Sequence, residues 1–116
     1  MAGIQLGRQP ATGRRAAAAD ADLAAMAKAL GHPARIRLLR LLAGRTGCCH
    51  GSLADELPLA ASTVSEHLRI LRGAGLVQGD VEGPRTSYCL NRARLHEAVT
   101  LLSAIAELRP PGESVC

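Results

Sequence analysis

Phenylalanine and tryptophan are absent from this 116-residue chain, and Tyr88 is its only aromatic residue. A core without large rings has to be assembled from Leu, Ala, Ile and Val, which suits closely packed helices. The length allows one domain with a small core. A small helical domain of this kind often buries further surface by dimerising. Long apolar runs are also missing. The stretch Ala16–Ala19 is cut by Asp20 and Asp22, so there is neither a secretory core region nor the roughly eighteen apolar residues of a membrane helix. A cytoplasmic protein with no membrane partner is expected. No nucleophile–base pair and no phosphate-cradling glycine loop is recognisable, and the glycines punctuate helices instead. An enzyme is therefore not expected, nor a catalytic cofactor.

Lysine is almost absent too. Of fourteen basic residues only Lys28 is a lysine, and the formal net charge is +4. A cationic chain of this size meets polyanions readily, with nucleic acid the first candidate. Arginine, with its two-pronged fork, reads guanine edges and phosphates, although a GC-rich genome produces the same bias.

The remaining pattern is helical. Residues 1–18 read as a disordered basic arm, 19–108 as a single DNA-binding and dimerisation domain, and 109–116 as a flexible tail. A first helix is predicted from about Asp20 to Leu30, with Leu23, Met26, Ala27 and Leu30 on one face. Gly31 ends it. Pro33 suits the first turn of a second helix, which carries Ile36, Leu39 and Leu42 inward. A short third helix is expected over Ser52–Leu57, stopped by Pro58, and a fourth over Ala61–Arg72, ended by Gly73 or Gly75. Helix, short turn, helix at this spacing is a helix-turn-helix. Two strands follow, Leu76–Val81 and Thr86–Leu90, joined by the turn chemistry of Glu82-Gly83-Pro84-Arg85. Such a hairpin is a wing, and Thr46–Cys49 can add a third strand to it. Asn91 caps a last helix, about Arg92–Leu108. Its stripe of Leu95, Val99, Leu102 and Ile105, widened by Leu101 and Leu108, exceeds what one core contact needs and points to a second subunit. The fold class is thus mainly α with a small β-hairpin wing, dimerised through the first and last helices.

With Val64, Leu68 and Leu71 inward on the fourth helix, the opposite face carries Ser62, Glu66 and Arg69, flanked by Thr63, Ser65 and Arg72. Small hydroxyl residues let the backbone approach base edges, and a helix N-terminus attracts phosphate. Arg69 and Arg72 can reach the flanking backbone, and Glu66 can accept from a cytosine amino group. The same residues could also form an ordinary solvated face.

Three segments together carry a resemblance: ALGHPARIRLLRLL (Ala29–Leu42), LADELPLAASTVSEHLRILRGAGLV (Leu53–Val77) and EGPRTSYCL (Glu82–Leu90). They resemble the ArsR/SmtB family of arsenic- and metal-responsive repressors, over nearly everything from Asp20 to Leu108. The resemblance implies a winged helix on double-stranded operator DNA, with Ser62, Thr63, Ser65 and His67 in or beside the major groove. Arg85 at the wing tip would approach the minor groove or backbone. His67 lies at the edge of the buried face, so it reads as a packed or phosphate-bonding residue.

The family's zinc type uses His and carboxylates along the last helix. Here only His96, Glu97 and Glu107 stand there, and that site is read as absent. The arsenic type uses a Cys-x-Cys-x-x-Cys trio. Cys49 matches its first position, while Gly51 and Ala54 occupy the other two and Cys48 precedes. Without an export signal, the four cysteines are expected as ligands or reactive thiols rather than as a disulfide frame. Cys48 and Cys49 are adjacent, with Cα atoms roughly 3.8 Å apart, too close to bridge each other easily. Both stay free for a soft ion. Pairing of Thr46–Cys49 with the second wing strand would bring up Cys89. The expected metal set is Cys48, Cys49 and Cys89, holding trivalent arsenic or antimony as inducer, or zinc or another soft ion with His50 as a fourth ligand. The alternatives are a redox- or persulfide-responsive repressor of the same fold and a winged-helix module that binds protein only.

Overall fold

The computed structural model describes residues 11–45, 49–50, 57–80 and 87–112. The expected third helix (52–57, apart from Leu57), the wing tip with Arg85, and Cys48 lie outside the described residues. Among those described, the order is α1 (Ala11–Leu30), α2 (Pro33–Ala43), β1 (Cys49–His50), α3 (Ala61–Gly73), β2 (Val77–Asp80), β3 (Ser87–Leu90) and α4 (Arg92–Ala106). The three strands form one antiparallel sheet in the order β1-β3-β2. Cys49 stands opposite Tyr88, and Gln78 opposite Cys89. The strand expected just before the helix-turn-helix therefore exists, at Cys49–His50.

Helix α1 begins at Ala11, inside the stretch expected to be a disordered arm. Its first turns, Thr12-Gly13-Arg14-Arg15 followed by four alanines, are dominated by residues with little helical entropy to lose. They form helix without an apolar face, and residues 14–18 are exposed. Local propensity prevailed where periodicity gave no signal. Farther along, Met26 and Ala29 are buried and Leu23 and Leu30 pack partly, whereas Ala27 faces out.

His32 caps α2, its Nδ1 accepting from the Ala34 N–H at 3.0 Å with Pro33 in the first turn. The buried row of α2 is Leu38, Leu39 and Leu42, with Ile36 only half-buried. In α3 the inward row is Val64, Leu68 and Leu71, as the spacing predicts. The helix ends in a Schellman motif: Leu76 N–H donates to Leu71 C=O at 3.0 Å and Gly75 N–H to Arg72 C=O at 2.9 Å. Gly75 sits at φ +82, and a Cβ there would lie 3.1 Å from Arg94 Nε. Glycine is thus required both for the left-handed turn and for the passage of that arginine.

These helices close over Leu57, Leu76, Val77, Tyr88 and Ala98 in one cluster with no buried polar residue among those described. The single aromatic ring is a core residue, 2% exposed. Helix α4 sends Ala98 fully inward and Leu95 and Leu101 partly. Val99, Leu102, Ile105 and Leu108 remain 52–72% exposed, so the wide apolar stripe splits into an inner row and an uncovered outer one. No helix among the described residues is long and apolar enough to cross a membrane.

Candidate nucleic-acid interface and thiol site

The buried row of α3 fixes which way the rest of that helix looks. Ser62, Thr63, Glu66, Arg69 and Arg72 are exposed, and Ser65 and His67 are half-buried at the two borders of the face. All seven α3 residues expected to meet DNA therefore lie outside the core. Ala60 occupies the N-cap with no side-chain hydrogen bond. The first-turn amides are not closed by a capping side chain, which suits a helix end that meets phosphate.

Glu66 is engaged by Arg69, whose guanidinium donates to it at 2.5 Å, with both side chains about half exposed. A pair this open contributes at most about 1 kcal/mol, so Arg69 can exchange the carboxylate for a phosphate. Binding a cytosine through Glu66 would have to displace Arg69 first.

His67 is embedded in a cluster that the sequence pattern did not reveal. Arg35 of α2 lies across from it, with NH1 3.4 Å from His67 Nδ1, and Arg35 Nε donates to Ala29 C=O at 2.6 Å. The His32 ring stands 4.6 Å from the His67 ring. Burial holds the His67 imidazole below its ordinary pKa, His32 and Arg35 push in the same direction, and Glu66 opposes them. Arg35 belongs to the quoted HPARIRLL run, but nothing in helical spacing says that it reaches the fourth expected helix.

Arg94 at the start of α4 was also missed. It makes a two-pronged contact with Asp22 of α1, 2.8 Å on each arm, donates to Ala74 C=O at 3.1 Å, and reaches Glu97 at 3.2 Å. The Asp22 carboxyl is held below its ordinary range by this hydrogen bond, and the Arg94 pKa rises correspondingly. The residue ties both terminal helices to the exit of α3. It also occupies the two carboxylates that neighbour His96 in a shallow groove between α1 and α4. Among the described residues no three His, Cys, Asp or Glu side chains are grouped to hold a metal.

Of the expected thiols, Cys48 lies outside the described residues and Cys49 is placed by its backbone alone, opposite Tyr88. Cys89 follows Tyr88 on β3. Since Tyr88 faces the core, strand alternation sends Cys89 to the other face of the sheet, where it is half-buried. Cys89 is disulfide-bonded. The cysteines were expected as ligands or reactive thiols, and Cys89 departs from that expectation.

An uncapped polar helix seated on a small helical core and followed by an antiparallel hairpin defines a winged helix-turn-helix. The model of the family described as "Bacterial regulatory protein, arsR family" matches residues 32–78. The HTH-type transcriptional regulator CmtR of Mycobacterium tuberculosis is 41% identical over 81 residues, 69% of this chain and 67% of that one. Among solved structures, an ArsR-like transcriptional regulator from Rhodococcus sp. RHA1 superposes with a TM-score of 0.61 at 30% identity, covering 74% of this chain and 80% of that one. A possible transcriptional regulator for arsenical resistance superposes with a TM-score of 0.55, also at 30% identity, covering 67% and 80%. The chain belongs to the ArsR family of transcriptional regulators. It is a regulator and not an enzyme.

Proposed function

We propose that the chain is a homodimeric repressor that binds operator DNA through α3 and the wing and leaves it when a soft, thiol-binding inducer arrives, with trivalent arsenic or antimony the best candidates. The observation that carries this reading is the β1–β3 register, which sets the backbone of Cys49 opposite Tyr88, the neighbour of Cys89 in sequence. In this reading Cys48, Cys49 and Cys89 supply the inducer's thiols. Trivalent arsenic suits them chemically: arsenous acid and three thiols give one tris-thiolate and three waters. The similarity to a possible regulator for arsenical resistance supports the same inducer class.

On DNA, Ser62, Thr63 and Ser65 face base edges, Arg69 and Arg72 face phosphates, and Arg85 extends the contact from the wing. Dimerisation uses the uncovered row Val99, Leu102 and Ile105 together with α1, so that two α3 helices reach successive major grooves. The sheet transmits the signal. β3 pairs with both β1 and β2, and β2 follows α3 after three residues, so tightening β1 onto β3 bears directly on the reading helix. Coupling is reciprocal, and DNA must weaken inducer binding by the same factor.

The test uses reduced full-length protein on a duplex that it has itself selected from random sequence. Arsenite should release the wild type, while Cys48→Ser, Cys49→Ser and Cys89→Ser variants hold the duplex and ignore arsenite. Release of the Cys48→Ser, Cys49→Ser double variant at wild-type arsenite concentrations would remove this site. One observation favours a second reading, the disulfide at Cys89. In that version two thiols give two electrons and two protons to a peroxide, yielding a disulfide and two waters. Release then follows peroxide without arsenite and reverses with a phosphine reductant that reduces the disulfide.

A further inference from the structure

His32, Arg35 and His67 meet where α2 packs against α3, and their hydrogen bonds fix proton positions. A backbone N–H can only donate, so His32 Nδ1, which accepts from Ala34 N–H at 3.0 Å, carries a lone pair. Guanidinium nitrogens likewise only donate. The 3.4 Å contact from Arg35 NH1 is therefore a hydrogen bond only when His67 Nδ1 is unprotonated. Arg35 is itself held at Nε by Ala29 C=O, which leaves its other arm directed at His67. The far nitrogen of the ring, Nε2, has no partner among the described residues. His67 Nε2 is not among the fully buried polar atoms left without a partner, so this edge of the half-buried ring keeps some exposure. His67 stands at the border of the α3 polar face, not at its centre, and the walls of a groove at that border are phosphates.

We propose that Arg35 is a positioning residue for DNA recognition: by donating to His67 Nδ1 it keeps the proton on Nε2 and presents that N–H to a phosphodiester oxygen of the DNA backbone. This rests on the assignment of α3 as the DNA-reading helix. The charged or titratable groups acting on His67 are His32 and Arg35 from α2 and Glu66 from α3, and Glu66 is already bonded to Arg69. The surroundings favour an anionic acceptor and a neutral imidazole together. A neutral donor displaces no counterion. At pH 7.5 His67 therefore strengthens binding without adding to its salt dependence, unlike an arginine–phosphate contact. Protonation makes Nδ1 a second donor facing Arg35, which breaks the positioning bond and turns the phosphate contact into a charged one. The salt slope then rises by about one for each chain, about two for the dimer.

Two measurements on the full-length protein test this. In ring nitrogen-15 spectra at pH 7.5, His67 should show Nε2 protonated and Nδ1 bare, and Arg35→Met should convert it to a mixture of tautomers. A purely packing role for Arg35 would leave the tautomer alone. On a duplex selected by the wild type, His67→Leu should weaken binding at least tenfold, since each chain loses a hydrogen bond to a charged acceptor, with an unchanged salt slope at pH 7.5. His67→Gln, whose amide N–H falls near Nε2, should stay within about threefold of wild type. A wild-type His67 protonated at Nδ1 overturns the proposal, as does a Gln variant as weak as the Leu variant or a Leu variant with a reduced slope at pH 7.5. If Ser65→Ala and Arg72→Ala weaken binding while the His67 variants do not, this inference alone fails. If none of them matters, the assignment of α3 fails with it.

Discussion

Helix α3 turns Ser62, Thr63, Glu66, Arg69 and Arg72 to solvent, while α4 turns out Val99, Leu102 and Ile105. Both helices bury an inner row in the same core, and they differ only in what they leave uncovered. Water solvates the α3 face at no cost, so that face is stable alone and can wait for a ligand rich in hydrogen-bonding and charged groups. Each exposed apolar residue of α4 forgoes roughly 25 cal/mol per Å², and the row is contiguous, 52–58% exposed at Val99, Leu102 and Ile105. A face of that kind marks an interface. In this account the partner of α4 is a second copy, held permanently, and the partner of α3 is DNA, held conditionally. Arg94 lies between the two faces, joined to Asp22 of α1 and to Ala74 C=O at the end of α3, so the exit of α3 is tied to both terminal helices.

The comparison breaks most sharply at the apolar face. Leu102→Glu with Ile105→Glu places two charges in the proposed contact, and burying an unpaired charge costs several kcal/mol. Sedimentation should show monomers at micromolar concentration, and duplex binding should collapse with the dimer. A next, smaller effect lies in the shared core. Leu68→Ala, at a site 2% exposed, should cost about 2–5 kcal/mol in urea unfolding and weaken DNA binding only through lost folded protein. Arg72→Ala leaves the fold intact and should lower duplex affinity at least tenfold, reducing the salt slope by about two, one for each chain of the dimer. Ser65→Ala should change which bases are preferred in a selection by a few-fold, with the salt slope untouched.

The smallest effect is in pH. The folded His67 pKa lies below its ordinary 6.5, so the unfolded chain takes up the proton first as acid is added. Stability is therefore full above about pH 6.5 and declines as pH falls through the folded value. The thermal midpoint of wild type should drop more between pH 7.5 and 5.5 than that of His67→Gln. Asp22 behaves in the same sense at lower pH, its contribution being lost below the ordinary 3.8 as the folded carboxyl protonates.

Much of this architecture was legible in the sequence because it follows from period. Val64, Leu68 and Leu71 recur at helical spacing and are the buried row. Pro33, Gly75 and Asn91 sit at element ends, where their backbones and side chains are needed. The start of α1 was not legible, since alanine and arginine make helix without making a pattern. Nor could periodicity divide the α4 stripe into its inner Ala98 and outer Val99 rows, because the wedge of α4 facing the core depends on how other elements pack there. At the candidate site, the polar face of α3 could be read from angles alone. The supports behind it, Arg35 at His67 and Arg94 at Asp22, join residues 32 and 72 positions apart, and no local rule connects them.

The central claim is that the two uncovered faces have different partners. The most direct measurement is the sedimentation mass of the full-length chain, alone and on a duplex it has selected. The account predicts a dimer alone and two chains per duplex. Leu102→Glu with Ile105→Glu should then disrupt both species, whereas Arg72→Ala should disrupt only the second. A wild-type chain that is monomeric at micromolar concentration and binds the duplex singly would contradict it.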